Sequence, residues 1–195
     1  MIRAVVSLLL FAISLPAAEE YSWWIEDCGA ATARGTGCRP GDVELGRWAL
    51  EAWQRESKGA IVLEKSPTEA RARLRLHWAN GTSKLYGETQ PILVDGKRGA
   101  NIYVLPGVAP VTAPGGDPLM RETVVYLTCL HESGHAFGLS HTRNFADIMY
   151  SFQYGGDIGA YFGRYRAQLK TRADIPLHSG VSDADRQALV QALKQ

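Results

Sequence analysis

Residues 131–141 read HESGHAFGLSH, and they limit the fold more tightly than any other stretch. Side chains at i and i+4 share one face of an α-helix, about one turn apart. His131 and His135 therefore meet at one point only if this segment is helical. Continuing the helix would bring residue 138 or 139 to the same face, and neither Gly138 nor Leu139 can ligate anything. Gly138 instead lets the chain leave the helix with positive φ. His141, three residues on, returns over the same point if the chain turns sharply there. The spacing predicts a helix that stops at Gly138 and a reversal that carries His141.

Three of the five histidines fall in these eleven positions. Singly, each reads as a satisfied core or surface group. Jointly they suit a metal, since zinc accepts imidazole nitrogens at about 2.0–2.1 Å. Three neutral imidazoles with one open position form a catalytic zinc arrangement rather than a closed structural one. Glu132 lies about 100° around the helix from His131, beside the metal and not aimed straight at it. That placement suits a general base for a water whose pKa the metal lowers, in attack on a peptide carbonyl. Cys129 points about 160° away from His131 and reads as a buried small hydrophobe.

HESGHAFGLSH followed by ADIMY (146–150) resembles the metzincin metallopeptidases, whose long zinc motif and Met-turn it matches. The GLSH end of the motif and the IMY turn are most similar to the matrixins, secreted endopeptidases. The resemblance implies His131, His135 and His141 as ligands of one catalytic Zn2+, Glu132 as general base and Met149 as the floor beneath the metal. It implies a metzincin-like α/β (α+β) fold: a twisted mixed sheet, two long helices and a small, mostly irregular C-terminal lobe ending in a helix. A protein or peptide substrate would lie extended along an edge strand within Tyr86–Leu105, with Tyr150, Ser151 and Phe152 walling the S1′ pocket. Asp183 and Asp185 would fix the N-terminal segment. Departures from the matrixin pattern are Thr142 in place of serine and Ser151 in place of proline. No prodomain cysteine motif is present, unless Cys28 or Cys38 serves. No second zinc site has a counterpart; His77 and His178 read as surface or packing residues. Calcium loops are not supported either: residues 79–118 hold only Glu88, Asp95 and Asp117 as acids.

Elsewhere the pattern agrees in order. YSWWIEDC reads as a strand. RPGDVELGRWALEAWQRES reads as an amphipathic helix capped by Asp42, with Val43, Leu45, Trp48, Leu50 and Trp53 on its apolar face. AIVLEK is a short strand. ARARLRLHW alternates, with Ala70, Ala72, Leu74, Leu76 and Trp78 on one side and arginines and His77 on the other. Residues 86–105 read as two extended segments joined at Asp95-Gly96, after an NGTS turn. A Pro/Gly loop (106–118) leads to Asp117 as N-cap, Pro118 at the first helical position and a buried helix over 119–137. Ser182 caps a last short helix, with Asp185 at its N3 position. The segment 152–180 is longer than the matrixin norm. Its YFGRYRAQLKTR reads as a solvated basic face, the alternative being an amphipathic helix that narrows the cleft or recruits a partner.

Residues 1–18 carry Arg3, an apolar run from Ala4 to Leu15 and small residues at Ala17 and Ala18. They read as a secretory signal rather than an anchor, since about 12 apolar residues fall short of the roughly 20 that span a bilayer. A single catalytic domain follows over 19–195, with an upper lobe to about 138 and a lower lobe beyond it. The expected location is secreted or periplasmic, as a monomer without a membrane span. There Cys28 and Cys38, ten apart across a glycine-rich small-residue loop, are expected to pair. The formal net charge of +1 falls to zero without Arg3. With no basic run interleaved with aromatics, this gives no sign of nucleic acid as a partner. Two other functions remain open on sequence: a zinc-binding interaction module without activity, and a processing peptidase acting on one partner.

Overall fold

The computed structural model describes residues 18–81, 86–107 and 116–194. All but the last residue of the signal segment, the end of the NGTS turn and most of the Pro/Gly loop lie outside the described residues.

Five strands form one mixed, mostly parallel sheet: β1 (Glu19–Ile25), β2 (Ile61–Lys65), β3 (Leu74–Trp78), β4 (Gly87–Val94) and β5 (Lys97–Val104), in the order β2-β1-β3-β5-β4. Only β4 runs antiparallel, against β5, and it forms one edge. The two join at Asp95 (φ 50°) and Gly96 (φ 74°), the paired left-handed residues that a tight hairpin needs. In β3 the alternation holds: Leu74, Leu76 and Trp78 are buried while Arg75 and His77 are half-buried on the other face. His77 is sandwiched there between Trp24 and Tyr103. The strand is shorter than the nine-residue alternation suggested, because Glu69–Arg71 winds into a 3₁₀ turn.

Two long helices cross each other, α2 (Asp42–Glu56) and α3 (Pro118–Ala136). Leu45, Ala49, Leu50 and Trp53 of α2 are fully buried, and the Trp53 indole donates to the Leu130 carbonyl of α3 at 2.8 Å. Two expectations fail nearby. Asp42 is not the cap of α2; that place is Gly41's, without a side-chain bond. The Asp42 carboxylate instead takes both arms of Arg121, at 2.7 Å each, and the Arg39 amide at 2.8 Å. The stretch between Cys28 and Cys38 is not a plain loop but holds α1 (Ala30–Thr36). The two cysteines are disulfide-bonded, and Cys129 is free and buried.

The C-terminal part is more regular than expected. It holds α4 (Ile158–Arg166), 3₁₀ turns at Phe152–Tyr154 and Arg172–Leu177, and α5 (Asp183–Ala192). Its basic stretch is not a solvated face. Tyr161, Phe162 and Tyr165 are buried, and the arginines are spoken for. Arg166 pairs with Asp117 at 2.6 Å, and Arg164 donates to the Phe145 carbonyl. Arg172 joins Glu44 and Glu122 and lies over the Trp48 ring. Among the described residues, no helix is long and apolar enough to cross a membrane.

Candidate metal centre

Helix α3 begins where expected. The Asp117 carboxylate accepts the Leu119 amide at 3.0 Å, and Pro118 fills the first helical position. It ends through Gly138, whose φ of 97° reverses the chain while its amide reaches the His135 carbonyl at 2.9 Å. The following loop is closed on itself. The Thr142 amide donates to the Met149 carbonyl at 2.8 Å, and a parallel bridge joins Thr142 to Tyr150. The residue after His141 is thereby tied to Met149. Met149 is fully buried and lies against Gly134, where a Cβ would collide with its sulfur.

The three predicted ligands come together. His141 Nε2 lies 3.2 Å from His131 Nε2 and 3.1 Å from His135 Nε2. The far side of two of the rings is fixed. His131 Nδ1 lies 2.7 Å from the Ile148 carbonyl and His135 Nδ1 lies 2.8 Å from the Leu139 carbonyl. A carbonyl only accepts, so each Nδ1 carries the proton and each Nε2 presents a lone pair. Burial keeps these rings neutral: it holds His131 down to about 3 and lowers His135 and His141 as well.

This donor set fits a metal. His141 can donate to one of its two neighbours at most, so bare lone pairs face each other at hydrogen-bond range unless a cation stands between them. A tetrahedral ion with bonds of 2.0–2.1 Å would separate such nitrogens by about 3.3 Å, close to the spacing found. Among the described residues, no Cys, Asp or Glu and no fourth His joins the three. The arrangement is compatible with zinc without singling it out.

Several supporting ties carry no signal in the sequence. The Ile148 carbonyl that fixes His131 also accepts the Tyr161 hydroxyl, at 3.1 Å. The same residue's amide donates to Asp185 at 2.8 Å, and the Met149 amide reaches that carboxylate at 3.4 Å. Asp185 thus holds the turn that carries Met149, and Asp183 pairs with Arg186; among the described residues, neither is bonded to the N-terminal segment. Their spacing in the chain, 13 to 37 residues from their partners, hides these ties from any local reading.

Glu132 is almost wholly buried beside the triad, and burial pushes its carboxyl up to about 7. The triad opens on a cleft of about 700 Å³. One end is aromatic and apolar, lined by Tyr86, Tyr150, Phe152, Ile158, Tyr161 and Phe162; the other runs past Pro91 to Arg98 and Gly138. Strand β4 lies along it through Gly87, Glu88 and Thr89. No protein-family model matches the chain, and no curated protein matches it.

Proposed function

We propose that the chain is a secreted zinc-dependent endopeptidase of the metzincin type, matrixin-like. One observation carries the reading: three imidazole nitrogens converge, with His141 Nε2 within 3.2 Å of the other two, beside a buried carboxylate, in a cleft flanked by an antiparallel edge strand. An ion held by His131, His135 and His141 would supply Lewis acidity, making a water acidic and polarising a carbonyl.

The chain's own residues supply the rest. The outer edge of β4 offers backbone groups to an extended peptide, as an added strand. Tyr150, Ser151 and Phe152 line the cleft where a side chain next to the cut bond would enter. Glu132 takes a proton from the attacking water as the new C–O bond forms. It returns that proton to the amine as the C–N bond breaks. A cation next to Glu132 pulls its raised pKa back down, so the carboxylate form is available at neutral pH. The Nδ1 protons on Ile148 and Leu139 hold two of the rings in orientation throughout.

A narrower reading, a processing peptidase acting on few partners, is favoured by one feature. Helix α4 brings Ile158, Tyr161 and Phe162 into the cleft, and Phe162 meets Tyr86 at 5.5 Å between ring centres, which confines what can enter.

The test is cleavage of a diverse peptide library by the chain lacking residues 1–18, beside Glu132→Ala, with zinc measured on both. The expected result is cutting by the first, loss on chelation, and a variant that keeps one zinc and cuts nothing. If both hold zinc and neither cuts, the peptidase reading narrows to a cleft gated by residues 152–180 or confined to one partner, and the binding module moves to the front.

A further inference from the structure

Positions 87 and 89 of β4 point inward on the same side of the strand, and both meet Glu132. The Thr89 hydroxyl lies 2.7 Å from Glu132 Oε2 and 2.9 Å from the main-chain oxygen of the same residue. One hydroxyl thus spans the carboxylate and its own backbone, which leaves the side chain little freedom to rotate. Among the described residues, no other side chain hydrogen-bonds this carboxylate. At position 87 the strand makes room: a Cβ there would sit 2.7 Å from Glu132 Cγ and 2.9 Å from Oε1. The edge strand therefore forms a seat for Glu132, open at Gly87 and latched at Thr89.

We propose that Thr89 is the positioning residue of the general base, holding the Glu132 carboxylate in the one orientation from which it takes and returns a proton. The proposal rests on the reading of Glu132 as that base. A glutamate lining a cleft has several staggered rotamers open to it. A bond from a hydroxyl fixed in a sheet selects one of them before substrate arrives, and misplacement by about 1 Å is enough to cost roughly 100-fold in rate. The Thr89 hydroxyl bonds Glu132 and none of the three histidines, so through that bond it acts on the base and not on the ligands. The strand that would receive the peptide is also the one that seats the base.

The experiment compares Thr89→Val, which keeps the shape without the hydroxyl, with Thr89→Ser, which keeps the hydroxyl. Both are made in the full chain, loaded with zinc and assayed on a peptide that the wild type cuts. The expected outcome for Thr89→Val is a kcat lower by about 10- to 100-fold, with KM within about twofold and one zinc retained; Thr89→Ser stays within about threefold of wild type. A tie that merely joins sheet to helix would lower the melting temperature and leave kcat of the folded protein alone. The proposal is overturned if Thr89→Val keeps its kcat, loses only KM, or is matched in its loss by Thr89→Ser. Thr89→Ala replaces the valine variant if that one does not fold. Crystal structures of metal-free wild type and Thr89→Val add a readout independent of activity. Glu132 should leave its single position in the variant, and an unmoved carboxylate refutes the seat. Should the wild type cut no peptide, the peptidase reading fails, while the crystallographic comparison still decides whether Thr89 orients Glu132.

Discussion

Asp185→Ala would remove one buried carboxylate that serves three amides. Its Oδ2 accepts Ile148 at 2.8 Å and Ser182 at 3.0 Å, and its Oδ1 accepts Met149 at 3.4 Å. The Ser182 amide stands at a helix start near solvent and can be hydrated. Those of Ile148 and Met149 cannot, since these residues are 2% and 0% exposed. A buried amide left without a partner costs about 1–3 kcal/mol, and the long Met149 bond belongs at the low end. Losing the carboxylate's own desolvation cost offsets part of this. The expected loss is about 2–4 kcal/mol, a large share of the roughly 5–15 kcal/mol that keeps a domain folded. Because the Ile148 carbonyl orients His131, the loosened turn should also weaken zinc binding by about 10- to 100-fold. Urea unfolding of the metal-free proteins gives the first quantity, and competition with a chelator gives the second. Asp185→Asn keeps an acceptor for Ile148 and should fall between. A loss below about 1 kcal/mol with zinc affinity unchanged would refute the assignment of Asp185 as the support of this turn.

The clamp between α2 and α3 yields a second test: Asp42→Ala strands the buried Arg121 guanidinium and should cost about 3–5 kcal/mol in urea unfolding, whereas Asp42→Leu with Arg121→Met should recover most of it. His141→Ala should cost zinc affinity far more than stability, because His141 is exposed and holds no part of the core; equilibrium dialysis beside a melting curve separates the two. The metal-free protein should lose stability on acidification. Burial holds folded His131 down to about 3, so below about pH 6.5 the unfolded chain binds the extra proton, with a slope of up to about 1.4 kcal/mol per pH unit from this residue. His135 and His141 act in the same sense, and Glu132, raised to about 7, opposes them between about pH 4.5 and 7. Calorimetry should therefore find a lower melting temperature at pH 5 than at pH 7, with the gap narrowed in His131→Leu.

What the sequence made legible was local. Asp117, Pro118 and Gly138 act on neighbours within a turn, and α3 starts and stops where they say. The histidine spacing encodes its own geometry, and so does the Asp95-Gly96 hairpin. What it hid was chemistry settled far along the chain. Asp42 reads as a cap until Arg121, 79 residues away, claims its carboxylate. Arg166 and Arg172 read as solvated until Asp117, Glu44 and Glu122 fold against them. Helix α1 buries none of its residues, so no apolar stripe announces it. Thr89 sits in an unremarkable strand, and only the crossing of β4 over α3 brings it to Glu132.

The lone thiol of Cys129 bears on how the chain matures. Three cysteines permit three different single bridges, and thiol–disulfide exchange needs a thiolate. Once α3 lies against α2, Cys129 has no exposed surface and burial pushes its thiol well up, so it drops out of the exchange. Before then its thiolate is as open to exchange as the other two. The ten-residue separation favours Cys28 with Cys38, because a short loop closes with less entropy lost than the loop of about 100 residues leading to Cys129. The native bridge is thus set by a race in which helix docking must outrun the oxidant. A cell that oxidises this chain faster than α3 docks would make part of it with the wrong bridge, whatever the stability of the finished protein.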